Sequence, residues 1–93
     1  MTPVWLFPAL TCLAATWNPE MSLLYGQTIG EEARYRNKSV LLGPGVNIYR
    51  TPLNGRNFEY MGEDPYLAGV MAVPYVKELT KERCCCLCEA ILH

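Results

Sequence analysis

Four clusters of residues have types and spacings that could do chemistry. Cys84, Cys85, Cys86 and Cys88 crowd together, and Cys85-x-x-Cys88 has redox or zinc-ligand spacing to which His93 could add a nitrogen. A zinc site needs four well-disposed groups, and adjacent cysteines point apart on most backbones, so neither a metal nor another cofactor is expected. Glu59, Glu63 and Asp64 could supply paired carboxylates, since two acids about 5–5.5 Å apart suit a retaining glycosidase. Asp64 precedes Pro65, however, and reads as a helix cap, while Glu59 and Glu63 read as partners of neighbouring arginines. Gly43-x-Gly45 has the start of a phosphate loop, but the third glycine is absent and Val46-Asn47-Ile48 opens no helix, which argues against a nucleotide site.

The arginines are the remaining chemistry. A guanidinium has five donors in a plane, can fork onto two oxygens and stays charged at any working pH. Arg56 reads either as a loop anchor paired with Glu59 or Glu63, or as a group that meets a ligand; Arg50 reads as structural, tying the loop to its surroundings.

These residues need elements to hold them. An apolar N-terminal part can form a short helix from Pro8 to Ala15. Asn18-Pro19 is a strong helix start, because Asn caps the first turn and Pro presets its φ. A helix is expected over about 19–37, with Met21, Leu24, Tyr25, Ile29 and Ala33 facing a core and Gln27, Glu31, Arg34 and Lys38 wet. Glu31-Glu32 and Arg34-x-Arg36 read as a solvated face of that helix. Val40-Leu41-Leu42 is a continuous apolar run, stopped by Gly43-Pro44-Gly45 and resumed as Val46-Asn47-Ile48, which suits a parallel strand covered on both faces. A polar loop from Tyr49 to Gly62 follows. Asp64-Pro65 then opens a second helix with Leu67, Val70, Met71, Val73 and Val76 on its apolar side and Pro74 as a kink or stop. Helix, buried strand, long loop, helix is an α/β order, and the loop after such a strand is where α/β proteins place their chemistry.

Composition narrows the classes further. The chain has 93 residues, enough for one small domain at most. Eight Lys+Arg against nine Asp+Glu give a net charge of −1, so no nucleic-acid partner is expected. Five cysteines, four of them clustered, do not make a secreted disulfide framework. No stretch approaches the roughly 18 residues of a membrane span. The apolar segment from Val4 to Ala15 has no preceding Lys or Arg and contains Pro8, which argues against a cleaved secretion signal.

The run from Leu41 through Gly43-Pro44-Gly45-Val46-Asn47-Ile48-Tyr49-Arg50-Thr51-Pro52-Leu53-Asn54-Gly55-Arg56-Asn57-Phe58-Glu59-Tyr60, followed by Glu63-Asp64-Pro65-Tyr66-Leu67, resembles the β-glucosidases of glycoside hydrolase family 3. Phe7-Pro8-Ala9, Leu13-Ala14-Ala15-Thr16-Trp17-Asn18 and Ile29-Gly30-Glu31-Glu32-Ala33-Arg34 fit the same family in the same order. The resemblance implies a partial (β/α)₈ TIM-like barrel, with residues 1–77 an early piece of the family's N-terminal domain around its second strand. It also implies hydrolysis of terminal β-linked glucosyl residues with retention, on a β-glucoside or oligosaccharide substrate, through an aspartate nucleophile and a separate glutamate acid/base. By the family's motifs neither catalytic group falls within this sequence. The one sugar-contacting position carried over by motif is Arg56, in the Arg-x-Pro-x-x-Gly-Arg loop. Glu32 or Arg34 is implied to make a buried pair in the intact barrel.

Residues 78–93 depart from the family. Back-translated and read one base later, Thr80 to Glu89 permits Gln-Lys-Asn-Gly-Val-Ala-Ala-Cys-Val-Lys, the kind of segment the family shows before a sugar-binding Lys-His pair. A frameshift from about residue 78 is therefore expected, and the piece alone is expected to be inactive and poorly folded, with open strand edges. Two other classes compete: a carbohydrate-binding module that presents the Arg50 to Glu59 loop without cleaving sugars, and a metal or redox protein built on the cysteine-rich tail.

Overall fold

The structure is a computed structural model that describes residues 6–82 and, in backbone only, residues 85–89. Its elements are α1 (Leu10–Ala14), α2 (Pro19–Tyr35), β1 (Val40–Gly45), a 3₁₀ turn (Asn57–Glu59), α3 (Pro65–Lys81) and β2 (Cys85–Glu89). Strands β1 and β2 pair in parallel, Val40 opposite Cys85 and Leu42 opposite Leu87, with α3 as the crossover between them. A parallel pair needs such a crossover, and α2–β1–α3–β2 is the helix-and-strand alternation expected of an α/β chain.

Both long helices begin as their sequences dictate. Asn18 Oδ1 accepts from the Glu20 N–H at 3.0 Å and Asp64 Oδ1 from the Tyr66 N–H at 2.9 Å, each with proline at the first helical position. Helix α2 ends in a paired-carbonyl cap: the Lys38 N–H donates to Ala33 O at 2.8 Å and the Asn37 N–H to Arg34 O at 3.0 Å. Asn37 takes the left-handed φ of 58° that this ending requires. Helix α3 continues through Pro74 to Lys81, so the proline removes one hydrogen-bond donor without stopping the helix.

The faces these helices bury agree fully with the expected ones only at Ala33 and Met71. On α2 the buried residues are Ser22, Gly26, Gly30 and Ala33, while Met21 and Leu24 are exposed and Tyr25 and Ile29 half-buried. The reason is close approach: a Cβ on Gly26 would stand 2.6 Å from the carbonyl oxygen of Tyr75. Small residues therefore face α3, and larger apolar ones are rotated to the flanks. The Ser22 hydroxyl donates to the Met71 carbonyl across this contact. On α3 the buried residues are Ala68, Met71, Tyr75, Glu78 and Leu79, whereas Val73 is exposed. Hydropathy alone favoured the valines, but the i, i+3, i+7, i+11 line through Ala68, Met71, Tyr75 and Leu79 is the one that meets α2.

Strand β1 also differs. It does not stop before Gly43 but runs through Gly43-Pro44-Gly45, with a cis peptide at Pro44, and its second half is the buried half. Gly45 is where the chain must be bare, since a Cβ there would lie 2.5 Å from Glu59 O and 2.9 Å from a Tyr60 ring carbon. Gly45 forms a parallel bridge with Tyr60, so the segment returning from the loop seats against the end of the strand. Val40 and Leu42, expected to be covered on both faces, are 52% and 71% exposed. The core lies elsewhere, in Leu13, Ala14, Met61, Ala68 and Met71, with Ala33, Tyr75 and Leu79 adjoining. Among the described residues no helix is long and apolar enough to cross a membrane.

Candidate functional site

The loop from residue 46 to residue 64 joins the C-terminal end of β1 to the start of α3, and it carries both arginines. Its folding is local and polar. Asn57 Nδ2 donates to Thr51 O at 2.7 Å, the Leu53 N–H reaches Thr51 Oγ1 at 3.3 Å, and the Arg56 N–H reaches Asn54 Oδ1 at 3.1 Å. Short polar side chains thus replace the missing ladder, as Asn, Thr and Asp do in turns. The loop then tightens into the 3₁₀ turn Asn57–Glu59, where the sequence predicts plain loop.

That turn sets the geometry of Arg56. Its Nη2 lies 2.6 Å from Glu59 Oε2, and its Nε lies 3.1 Å from each carboxylate oxygen. The pair spans i, i+3, with the Arg56 side chain 42% exposed and that of Glu59 30%. The Arg56 hydrogen bonds hold the Glu59 carboxyl below its ordinary range, against a smaller opposing effect of desolvation. Of the two partners the sequence offered, the structure chooses Glu59. Glu63 instead faces Arg50 at 3.9 Å, both side chains well exposed, a contact worth little in water. Asp64 caps α3, so the three acids do not assemble into a catalytic pair.

Three further ion pairs lie on the helices among the described residues. Glu32 meets Arg36 at 3.5 Å along α2, and Arg34 approaches Glu82 at 4.0 Å. Glu78, mostly buried, accepts from Lys81 Nζ at 2.9 Å. The side chains of Cys84, Cys85, Cys86 and Cys88, and His93, lie outside the described residues, so the ligand spacing in the tail has no described geometry.

Two open clefts border the loop. One of about 520 Å³ is lined by Ile48, Tyr49, Arg50, Thr51, Leu53 and Asn54. The other, of about 420 Å³, lies beside the buried end of β1 and includes Pro44, Phe58 and Glu59. Arg56 lines neither of these two clefts. What this arrangement presents is a guanidinium held by Glu59 in the loop at the C-terminal end of a parallel strand, the end at which α/β proteins place their ligand sites.

Several residues that build the site were missed from sequence. Thr11, on α1, places its hydroxyl 2.8 Å from Tyr60 O, 3.2 Å from Asn57 O and 3.2 Å from the Tyr49 hydroxyl. Its only signal was a lone polar group in an apolar segment. The Tyr60 hydroxyl and Asn57 Oδ1 are buried with no partner among the described residues.

The sequence model of the family described as Glycosyl hydrolase family 3 N terminal domain matches residues 3–90. Beta-glucosidase BoGH3A of Bacteroides ovatus is 75% identical over 75 residues, which is 81% of this chain and 10% of that enzyme. An exo-alpha-(1->6)-L-arabinopyranosidase of Bifidobacterium longum is 48% identical over 75 residues, again 10% of its length. The solved beta-glucosidase 3B of Thermotoga neapolitana, in complex with alpha-D-glucose, superposes with a TM-score of 0.87 at 44% identity, covering 90% of this chain and 12% of that one. The chain thus spans about a tenth of the length of the curated relatives it matches.

Proposed function

The chain belongs to glycosyl hydrolase family 3, within the family's N-terminal domain, and from that premise we propose that it is a segment of a β-glucosidase-like enzyme. In this reading the parent hydrolyses terminal β-linked glucosyl residues with retention, acting on a β-glucoside or an oligosaccharide. The helices and strands described above form part of a (β/α)₈ barrel, and the loop after β1 contributes Arg56 to the subsite for the terminal sugar. The nucleophile and the acid/base lie outside this chain, which by itself is inactive.

The observation that carries this reading is Arg56 held by Glu59 in the loop that follows a parallel strand, since barrel enzymes build their sites from such loops. One further feature supports the barrel. The first half of β1 leaves Val40 and Leu42 exposed, as a strand does when its covering layers are missing.

We also read residues from about 78 onward as a shifted frame. Sequencing the coding DNA decides it, and the absence of that continuation in the shifted frame removes the idea.

The sugar-subsite reading is tested by grafting this segment into the Bacteroides ovatus enzyme in place of the matching 75 residues. Hydrolysis of p-nitrophenyl β-D-glucoside is then measured for the graft with and without Arg56→Ala. The expected loss in kcat/KM is about ten- to hundredfold, the worth of a charged hydrogen bond. An unchanged kcat/KM defeats the assignment of Arg56 to the subsite.

A further inference from the structure

We propose that Thr11 is a positioning residue for sugar binding: its hydroxyl locks together the two legs of the loop that carries Arg56. The inference rests on the sugar-subsite reading of Arg56 and deepens it.

The Thr11 hydroxyl does something different from the other helical threonines described. Thr28 and Thr80 donate back to carbonyls of their own helices, Leu24 O at 2.8 Å and Val76 O at 2.9 Å, the usual resting place of a helical hydroxyl. Thr11 turns outward. Its Oγ1 sits 2.8 Å from Tyr60 O, with the carbonyls of Asn57 and Phe58 at 3.2 and 3.5 Å. A hydroxyl has one proton, and the shortest contact takes it, so Thr11 donates to Tyr60 O. The Tyr49 phenol, 3.2 Å away, then donates its own proton to a lone pair of Thr11 Oγ1.

One oxygen on α1 therefore joins Tyr49, where the chain leaves the strand, to Tyr60, where it returns. Arg56 and Glu59 lie on the stretch between them. The return leg is held on its other side by the bridge from Tyr60 to Gly45, and the outgoing leg by the Tyr49 N–H to Gly62 O at 3.4 Å. These backbone contacts fix where the legs start and end. The Thr11 hydroxyl fixes the height of the 3₁₀ turn, and with it the direction in which Glu59 aims Arg56. Small displacements of a fork weaken two hydrogen bonds at once, so the effect on sugar binding is larger than the one lost contact.

The test uses the full-length graft and p-nitrophenyl β-D-glucoside. Thr11→Val keeps the shape and removes the hydroxyl; Thr11→Ser keeps the hydroxyl. The expected result is a fall of about tenfold in kcat/KM for Thr11→Val, carried mainly by KM, and less than about twofold for Thr11→Ser. In an Arg56→Ala background Thr11→Val should cost less than about twofold, because what it positions is gone. Equal losses in both backgrounds, a silent Thr11→Val, or a Thr11→Ser as damaging as Thr11→Val each overturn the inference. A silent Arg56→Ala instead overturns the subsite reading beneath it. Should Thr11→Val fail to fold, Tyr49→Phe removes the hydroxyl that faces Thr11 and runs through the same cycle.

Discussion

The Arg56 guanidinium meets the Glu59 carboxylate side-on, Nη2 to Oε2 at 2.6 Å and Nε to both oxygens at 3.1 Å. One turn of 3₁₀ helix sets this spacing, and it gives the arginine a direction as well as a charge. Lysine has the charge without the fork.

Arg56→Lys in the full-length graft should therefore lose most of what Arg56→Ala loses. A fall of at least about tenfold in kcat/KM for p-nitrophenyl β-D-glucoside is expected, since bidentate geometry is absent. Retention of more than half the activity would show that charge alone suffices there.

The same pair predicts an acid dependence. Glu59 is held below its ordinary value of 4.5, chiefly by the Arg56 hydrogen bonds. A carboxylate with a depressed folded value contributes stability that is whole above its unfolded value and is lost as the pH falls through the folded one. The difference in Tm between the graft and its Glu59→Gln variant should stay constant at neutral pH and shrink below about pH 4.5. A difference that vanishes already at pH 6 would contradict the assignment.

Gly26→Ala should destabilise the graft by about 1–3 kcal/mol, the usual range for an added methyl in a filled contact. The obstacle is backbone, with Tyr75 O only 2.6 Å from the new Cβ, so no side-chain rotation relieves it. Gly69→Ala is the control, because nothing lies within 4 Å of its Cβ position. Gly69→Ala should be neutral or slightly stabilising through helix propensity. Thermal unfolding of both variants measures this, and equal Tm values would refute the close approach.

The unfused 93-residue chain should release no measurable p-nitrophenol from the aryl β-glucoside. On the proposed reading both nucleophile and acid lie outside it, so their proximity cannot arise. Turnover that copurifies with the chain and scales with its concentration would defeat the proposal that the chemistry lies outside it.

Much of this architecture was legible because it is locally determined. Asn18-Pro19 and Asp64-Pro65 announce two helix starts, and the apolar run before Gly43 announces a parallel strand. The errors share one cause. Hydropathy ranks Met21, Leu24 and Val73 above Ser22, Gly26 and Gly30, but the distance between two helices is decided by the smallest side chains at their crossing. Likewise Gly43-Pro44-Gly45 looks like punctuation from sequence, whereas Gly45 is bare so that Tyr60 can lie against it. The partner of Arg56 was narrowed to two acids by proximity in sequence, and the 3₁₀ turn selected between them. Thr11 shows in the sequence only as a polar group in an apolar segment, since its partners are carbonyls some fifty positions away, at Asn57 and Tyr60.

The crossing at Gly26 has a mechanical side. Where main chain rests on main chain, no flexible layer remains to absorb a push, so α2 and α3 behave as one stiff plank. The loop hinged on the front of α3 inherits that stiffness at one end.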